Sequence, residues 1–384
     1  MSSLREVMVL DAVEDRRAAG VQIRAEAALL ALGRTHVCVA LNNSCHFYPL
    51  EGGGEPEEVE YMSTVGAVAM NRDSAAVLFE GRVQLHRVVG DPDGRHTRTF
   101  PDPEDRDVVT AARLTEDFLI LGTAGGCIAY HALADGGRPN EYRHSHGVRL
   151  LFPSPTGTRA VVVDDAGACY LYNPVDLSML EVSDFPKDAE ALLWDLADFR
   201  VFAAVGADTV VTYAHTPAGL RGPAVVRVGT TPRQSGYSPI LLLDGRLTWQ
   251  TPSGGVLPTV LESHWAAIGV PGRLVTAQEA LGQCLALGRL DRAFEHARAA
   301  DSPAAWARLR LRALEGLDVP LAIRVSRATR DAAGVAALEK LVYEEDRSLL
   351  AGYVAVQLGD YGLAQVRVCA TSPKPVKNPR ISFI

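Results

Sequence analysis

The phrase DSAAVLFEGRVQLHRV at residues 73–88 constrains the fold of this chain more than any other feature, because it recurs. Four apolar residues run from Ala76 to Phe79, Glu80-Gly81 interrupts them, and Val83 and Leu85 then alternate with Gln84 and His86. A buried run, a glycine where the chain must reverse and a period-two run read as strand, tight turn, strand. Equivalent turns are expected at Asn42-Asn43, Gly125-Gly126, Ala166-Gly167, Gly206 to Asp208 and Asp244-Gly245. Counted from Asn42, Gly81, Gly125, Ala166, Gly206 and Gly245, the intervals are 39, 44, 41, 40 and 39 residues.

Further apolar segments precede these hairpins, at 65–70, 108–114, 148–152 and 191–196. About four strands per 40–45 residues is the pattern of a β-propeller. One such sheet cannot cover both of its apolar faces, so blades must stack around an axis. Six hairpins predict six blades. A seventh would form if the N-terminal strand, Val7 to Leu10, joined residues 256–262. Residues 21–32 read as strand or short helix. Trp194-Asp195 is a literal WD dipeptide, but it precedes its hairpin instead of closing it, and is read as coincidence.

The period changes after about residue 270. PGRL at 271–274 reads as a linker, and apolar residues then recur at three and four, as in Leu281, Cys284 and Leu285 or Leu349, Leu350, Tyr353 and Val354. Amphipathic helices are expected over 276–287, 290–300, 303–316, 319–330, 332–342 and 346–358. Ser302 before Pro303 is an N-cap signal. Gly288, Gly316 and Gly359 are helix stops. Ala293 and Ala364 each follow a glycine by five residues and let paired helices approach, a tetratricopeptide-like logic. The organisation expected is a WD-repeat-like β-propeller over 1–270, the start of a TPR-like α-solenoid over 271–368, and a basic, disordered tail over 369–384 carrying Lys374, Lys377 and Arg380.

Composition excludes several classes. A net charge of −8 argues against a nucleic-acid-binding body. No apolar run reaches the roughly 18 residues of a membrane span, and the charged N-terminus is unlike a signal peptide. Six scattered cysteines without a CxxC predict reduced, mostly buried thiols in a cytosolic protein.

Candidate chemistry is sparse. His144 and His146 form an HxH, which on a strand would put both rings on one side, but no carboxylate or cysteine is close in sequence to complete a metal site. A solvated inter-blade loop is expected there. Asp164-Asp165 is expected in a hairpin turn. The glycine-rich GTAGG at 122–126 lies between strands, where a phosphate cradle would need a helix N-terminus after it. Glu344, Glu345 and Asp346 are expected to lead into a helix. No catalytic, cofactor-binding or metal residue is assigned, no cofactor is expected, and the chain is read as no enzyme.

Several phrases together resemble one family. They are DSAAVLFEGRVQLH (73–86), LTEDFLILGT (114–123), EYRHSHGVRLLFPSPTGTRAVVVDD (141–165), LLWDLADFRVFAA (192–204), ILLLDGRLTWQTPSGGV (240–256) and LAIRVSRATRDAAGVAALEKLVYEEDRSLLAGYVAVQLGDYGLAQ (321–365). They resemble the WD-repeat domain protein nineteen family, the large WD-repeat and tetratricopeptide subunit of intraflagellar transport complex A. The resemblance runs to about Gln365 and covers the family's second propeller and first solenoid hairpins. It implies a non-catalytic scaffold supporting retrograde ciliary transport, cargo import and cilium assembly. The implied partners are other complex A subunits and, indirectly, ciliary membrane cargo and the retrograde motor, with no nucleic acid and no direct membrane insertion. The implied location is the cilium or flagellum and basal body, with a cytoplasmic pool. The family's first propeller and cysteine-rich zinc module have no counterpart, so a shortened gene model is expected, with an apolar solenoid face left bare beyond 346–358. By fold analogy alone, the alternative is a vesicle-coat or nuclear-pore-type propeller–solenoid scaffold.

Overall fold

The strand Ala160–Asp164 shows why the apolar runs are continuous. Ala160 and Val162 pack in a cluster with Ile120, Ile128 and Tyr130 of the preceding sheet. Val161 and Val163 pack with Trp194, Phe202 and Tyr213 of the following one. Successive side chains of a strand point to opposite faces, and here both faces meet a neighbouring sheet. The same sharing joins Ala75, Val77 and Phe79 to Cys38, Ala40 and Phe47. It also joins Ala76 and Val83 to Leu119 and Leu121, and Ala203 and Val205 to Leu242, Leu247 and Trp249.

The computed structural model describes residues 6–371, apart from residues 15, 25, 52–53, 89–96, 103, 105 and 271. The chain forms a six-bladed β-propeller followed by a helical region. Five blades are four-stranded antiparallel meanders, spanning residues 29–60, 65–100, 109–143, 148–181 and 191–232, and the sixth has three strands over 238–260. The strand Glu6–Asp11 pairs with Arg16–Gln22, from Glu6 opposite Gln22 to Asp11 opposite Arg16. Val256–Val260 pairs with Arg246–Gln250. The N-terminal strand therefore does not join residues 256–262, and the seven-bladed alternative does not form. Residues 16–22 and 29–32 are strands, which settles the strand-or-helix ambiguity over 21–32.

The turns follow glycine chemistry. Glu80 and Gly81 have φ of 50° and 73°, and Asp244 and Gly245 have 45° and 70°. Paired positive φ values are the mark of the two-residue turn that matches strand twist. Five of the expected turns join the second and third strands of their blades. Asp244-Gly245 instead joins the first and second strands of the sixth, so the last interval keeps its length but changes phase.

The chain divides into two compact units. One holds residues 1–213 and 225–263, and the other holds 214–224 and 264–384. Within the second unit the described helices are α1 (Trp265–Ile268), α2 (Ala277–Ala286), α3 (Leu290–Ala300), α4 (Pro303–Glu315), α5 (Val319–Ala328), α6 (Ala332–Glu339), α7 (Arg347–Gln357) and α8 (Tyr361–Thr371). Thr276 and Glu279 form a reciprocal capping box on α2, and the Ser302 side chain caps α4 with Pro303 at its first turn. Asp346 caps α7 through the N–H groups of Ser348 and Leu349. Gly288 and Gly359 adopt φ of 71° and 77°. At the third expected stop the left-handed residue is Leu317, at 58°, and not Gly316. Ala293 and Ala364 are buried as expected, and Gly352 lies so close to Val368 that an added Cβ would meet it at 2.7 Å. Residues 372–384, with the basic tail residues, lie outside the described residues.

Candidate functional site

In the third and fifth blades the entering loop holds the turn between the second and third strands through an acidic side chain. In the third blade the Asp107 carboxylate accepts the Gly125 N–H at 2.9 Å and the Thr123 hydroxyl at 2.7 Å. In the fifth, the Asp188 carboxylate accepts the Ala207 N–H at 2.7 Å. The GTAGG amide that a phosphate would need is thus already engaged by a protein acid.

The fourth blade reverses this polarity. The entering loop carries His144 and His146, and the acid sits in the turn. His144 Nε2 lies 3.4 Å from Asp164 Oδ2, with both side chains largely buried, while His146 is exposed. The Asp164 Oδ1 atom accepts the Ala168 N–H at 2.7 Å. The two imidazole rings are 5.9 Å apart, and Tyr170 packs edge-on to His144 at 5.0 Å. One nitrogen from each histidine and one Asp164 oxygen lie within 4.8 Å of one another. The sequence places the HxH and the acid eighteen or more residues apart, and the antiparallel pairing of the fourth blade's first two strands, with Val148 opposite Asp164, brings them together.

Trp194 and Asp195 also have defined roles. Trp194 donates its indole N–H to the Phe152 carbonyl of the fourth blade at 3.1 Å. The Asp195 carboxylate accepts the backbone N–H groups of Asp244 and Gly245 in the sixth blade at 2.7 and 2.8 Å. A dipeptide read as chance is a connector between blades.

Two of the clefts among the propeller unit's described residues differ in character. One, of about 210 Å³, is apolar and lies between Val7–Leu10, Leu30–Leu32 and the sixth blade at Ile240 and Val256. The other is polar and is lined by Asp73, His86, Arg87, Arg98, Asp117 and His131. Burial pushes His86 and His131 down to about 4, so both imidazoles are neutral near pH 7. The described cysteines Cys38, Cys45, Cys127, Cys169 and Cys284 are unpaired by disulfide and buried, and burial pushes the Cys169 thiol up.

In the helical unit, the segment 214–224 lies against α4 and α8. Leu220 donates its N–H to the Glu315 carbonyl at 2.7 Å, and Arg367 reaches the Leu220 carbonyl at 3.0 Å. Tyr353, Val356, Tyr361 and Val366 on α7 and α8 are exposed. Val354, Ala351 and Ala355 on α7 are buried, so the face expected to be bare beyond 346–358 is in part covered.

Blades that share apolar strands, acid-held turns and a helical region together define a WD-repeat-type β-propeller protein with a helical extension. The sequence model described as WDR19 second beta-propeller matches residues 1–264. The chain is 35% identical over 377 residues to WD repeat-containing protein 19 of Mus musculus, across 95% of this chain and 28% of that protein. It is 35% identical over 384 residues to the Homo sapiens protein of the same name, across 97% of this chain and 28% of that protein. It is 26% identical to WD repeat-containing protein dyf-2 of Caenorhabditis elegans, across 95% of this chain and 28% of that protein. The chain belongs to the WD repeat-containing protein 19 family, and spans 28% of the length of these relatives. Among solved structures, it is similar to the Myceliophteria thermophila Cps50 (Swd1) β-propeller domain, with a TM-score of 0.48 and 13% identity over 67% of this chain and 90% of that one.

Proposed function

We propose that this chain acts as part of a non-catalytic scaffold within intraflagellar transport complex A, serving retrograde ciliary transport, cargo import and cilium assembly. The observation that carries this reading is the 35% identity to WD repeat-containing protein 19 across 95% of the chain, which runs through both the propeller and the helices. The surface chemistry agrees with a scaffold. The loop and turn groups of the third and fifth blades are spent on holding those blades' own turns, at Asp107 and Asp188.

The partners proposed are the other complex A subunits, and through them ciliary membrane cargo and the retrograde motor. Neither nucleic acid nor direct membrane insertion is part of the proposal. The proposed location is the cilium and basal body, with a cytoplasmic pool. The experiment is to tag the protein at its own locus in a ciliated cell and image it. Axonemal and basal-body signal supports the proposal. Golgi or nuclear-rim signal points instead to a vesicle-coat or nuclear-pore scaffold and overturns it.

A further inference from the structure

The geometry points to a binding site for a divalent transition-metal ion of zinc's class, formed by His144, His146 and Asp164 between the third and fourth blades. Three features of the site carry this. The first is the ligand set. Two imidazoles and one carboxylate are the donors of open zinc sites, which complete a tetrahedron with water or another ligand. The three donor atoms lie within 4.8 Å of one another.

The second is a distance. His144 Nε2 and Asp164 Oδ2 are 3.4 Å apart. A charge-assisted hydrogen bond closes to about 2.7–2.9 Å, so this pair is too far apart for a good one. Bonds of about 2.0–2.2 Å at a tetrahedral angle place two donors roughly 3.3–3.5 Å apart. The buried half of the site already has that separation. Only the exposed His146 ring has to swing inward.

The third is a fixed backbone. His144 donates its N–H to the Gly126 carbonyl at 2.8 Å, and Asp165 donates its own to the Gly147 carbonyl at 2.9 Å. The loop is therefore tied to the third-blade turn on one side and the fourth-blade turn on the other. A Cβ at Gly126 would meet the His144 and His146 carbonyl oxygens at 2.5 and 2.6 Å, so the two strands of contact are as close as glycine permits. Ser145 Oγ, 3.0 Å from His146 Nδ1, helps orient that ring, the kind of outer contact that tunes a metal ligand. The Ala168 N–H fixes the Asp164 carboxylate and leaves Oδ2 toward His144. A bound ion would tie the loop entering the fourth blade to that blade's own turn at a third point, and its remaining position would face solvent beside His146.

The test uses the full chain, stripped of metal by chelation and titrated with Zn²⁺ alone and with Co²⁺ alone. Calorimetry reads affinity and stoichiometry for Zn²⁺, and the visible spectrum reads Co²⁺ geometry. The site predicts one ion per chain, a low-coordinate cobalt band and a raised thermal midpoint with Zn²⁺. His146→Ala removes an exposed ligand. It should weaken Zn²⁺ binding by more than about tenfold, the loss that even an outer-contact change can produce, while the metal-free midpoint stays unchanged. Asp164→Asn should abolish the cobalt band, and is read only if its circular dichroism spectrum matches the parent. Absence of stoichiometric binding, or equal Zn²⁺ affinity in the parent and His146→Ala, overturns the proposal and leaves His144 and Asp164 as a fastening of the turn.

Discussion

Asp195 Oδ2 accepts the backbone N–H of Gly245 at 2.8 Å, from 50 residues earlier in the chain. The same carboxylate takes the Asp244 N–H at 2.7 Å through its other oxygen. Asp195 is fully buried, so these amides have no water to replace it. Asp195→Ala should destabilise the propeller by about 3 kcal/mol, the order expected when charge-assisted bonds are lost and buried donors are left unpaired. Asp195→Asn, which keeps one acceptor oxygen, should cost less. Urea titration followed by circular dichroism checks the order, and equal midpoints for the parent and Asp195→Ala would contradict the role.

Leu242 is buried between the fifth and sixth blades, whereas Leu241 is only half-buried. The run ILLL at 240–243 predicts at least one core leucine, and the structure shows which. Leu242→Ala should cost about 2–5 kcal/mol, as large-to-small core changes do. Leu241→Ala should cost distinctly less. Thermal midpoints of the two variants measured side by side would contradict this strand's register if they fell equally.

Gly126 and Gly167 test strain against crowding. Both have positive φ, at 82° and 84°. A Cβ at Gly167 would meet nothing within 4 Å, but at Gly126 it would strike two carbonyl oxygens. Gly167→Ala should therefore show only the left-handed penalty of about 1–2 kcal/mol. Gly126→Ala should lose more, measured by the same denaturation, because backbone must also move.

Acid should weaken the propeller before the carboxylates titrate. In the unfolded chain His86 and His131 take up protons near the ordinary 6.5, but burial keeps both neutral in the fold down to about 4. Between those values the unfolded state binds more protons, so stability is full above 6.5 and falls as pH drops. The Tyr61 hydroxyl and His86 Nε2 share a hydrogen bond at 2.9 Å in this buried setting. The thermal midpoint should fall from pH 7 to pH 5, and a His86→Asn, His131→Asn double variant should show a shallower slope. An unchanged slope would contradict this account.

The propeller was legible in the sequence because its cause is local. Val77 or Val161 must be apolar on either face, and Gly81 or Gly167 must turn, wherever it sits. Helix ends were legible for the same reason at Ser302 and Gly359, but not at Gly316, where the left-handed residue is its neighbour Leu317. The phase change at Asp244-Gly245 was hidden because the same two-residue turn chemistry serves either strand pair. The role of Asp195 and the gathering of His144, His146 and Asp164 were hidden for another reason. The first depends on a contact between blades and the second on the register of the fourth blade's first two strands, and nothing in the spacing of these residues along the chain records either.

Affinity purification from ciliated cells tests the proposed complex A role most directly. The protein would be tagged at its own locus, isolated under mild conditions, and its partners quantified by mass spectrometry. The account predicts complex A subunits in near-equal amounts with the tagged chain. Recovery of coat or pore subunits in their place, or of the chain without complex A subunits, would contradict it.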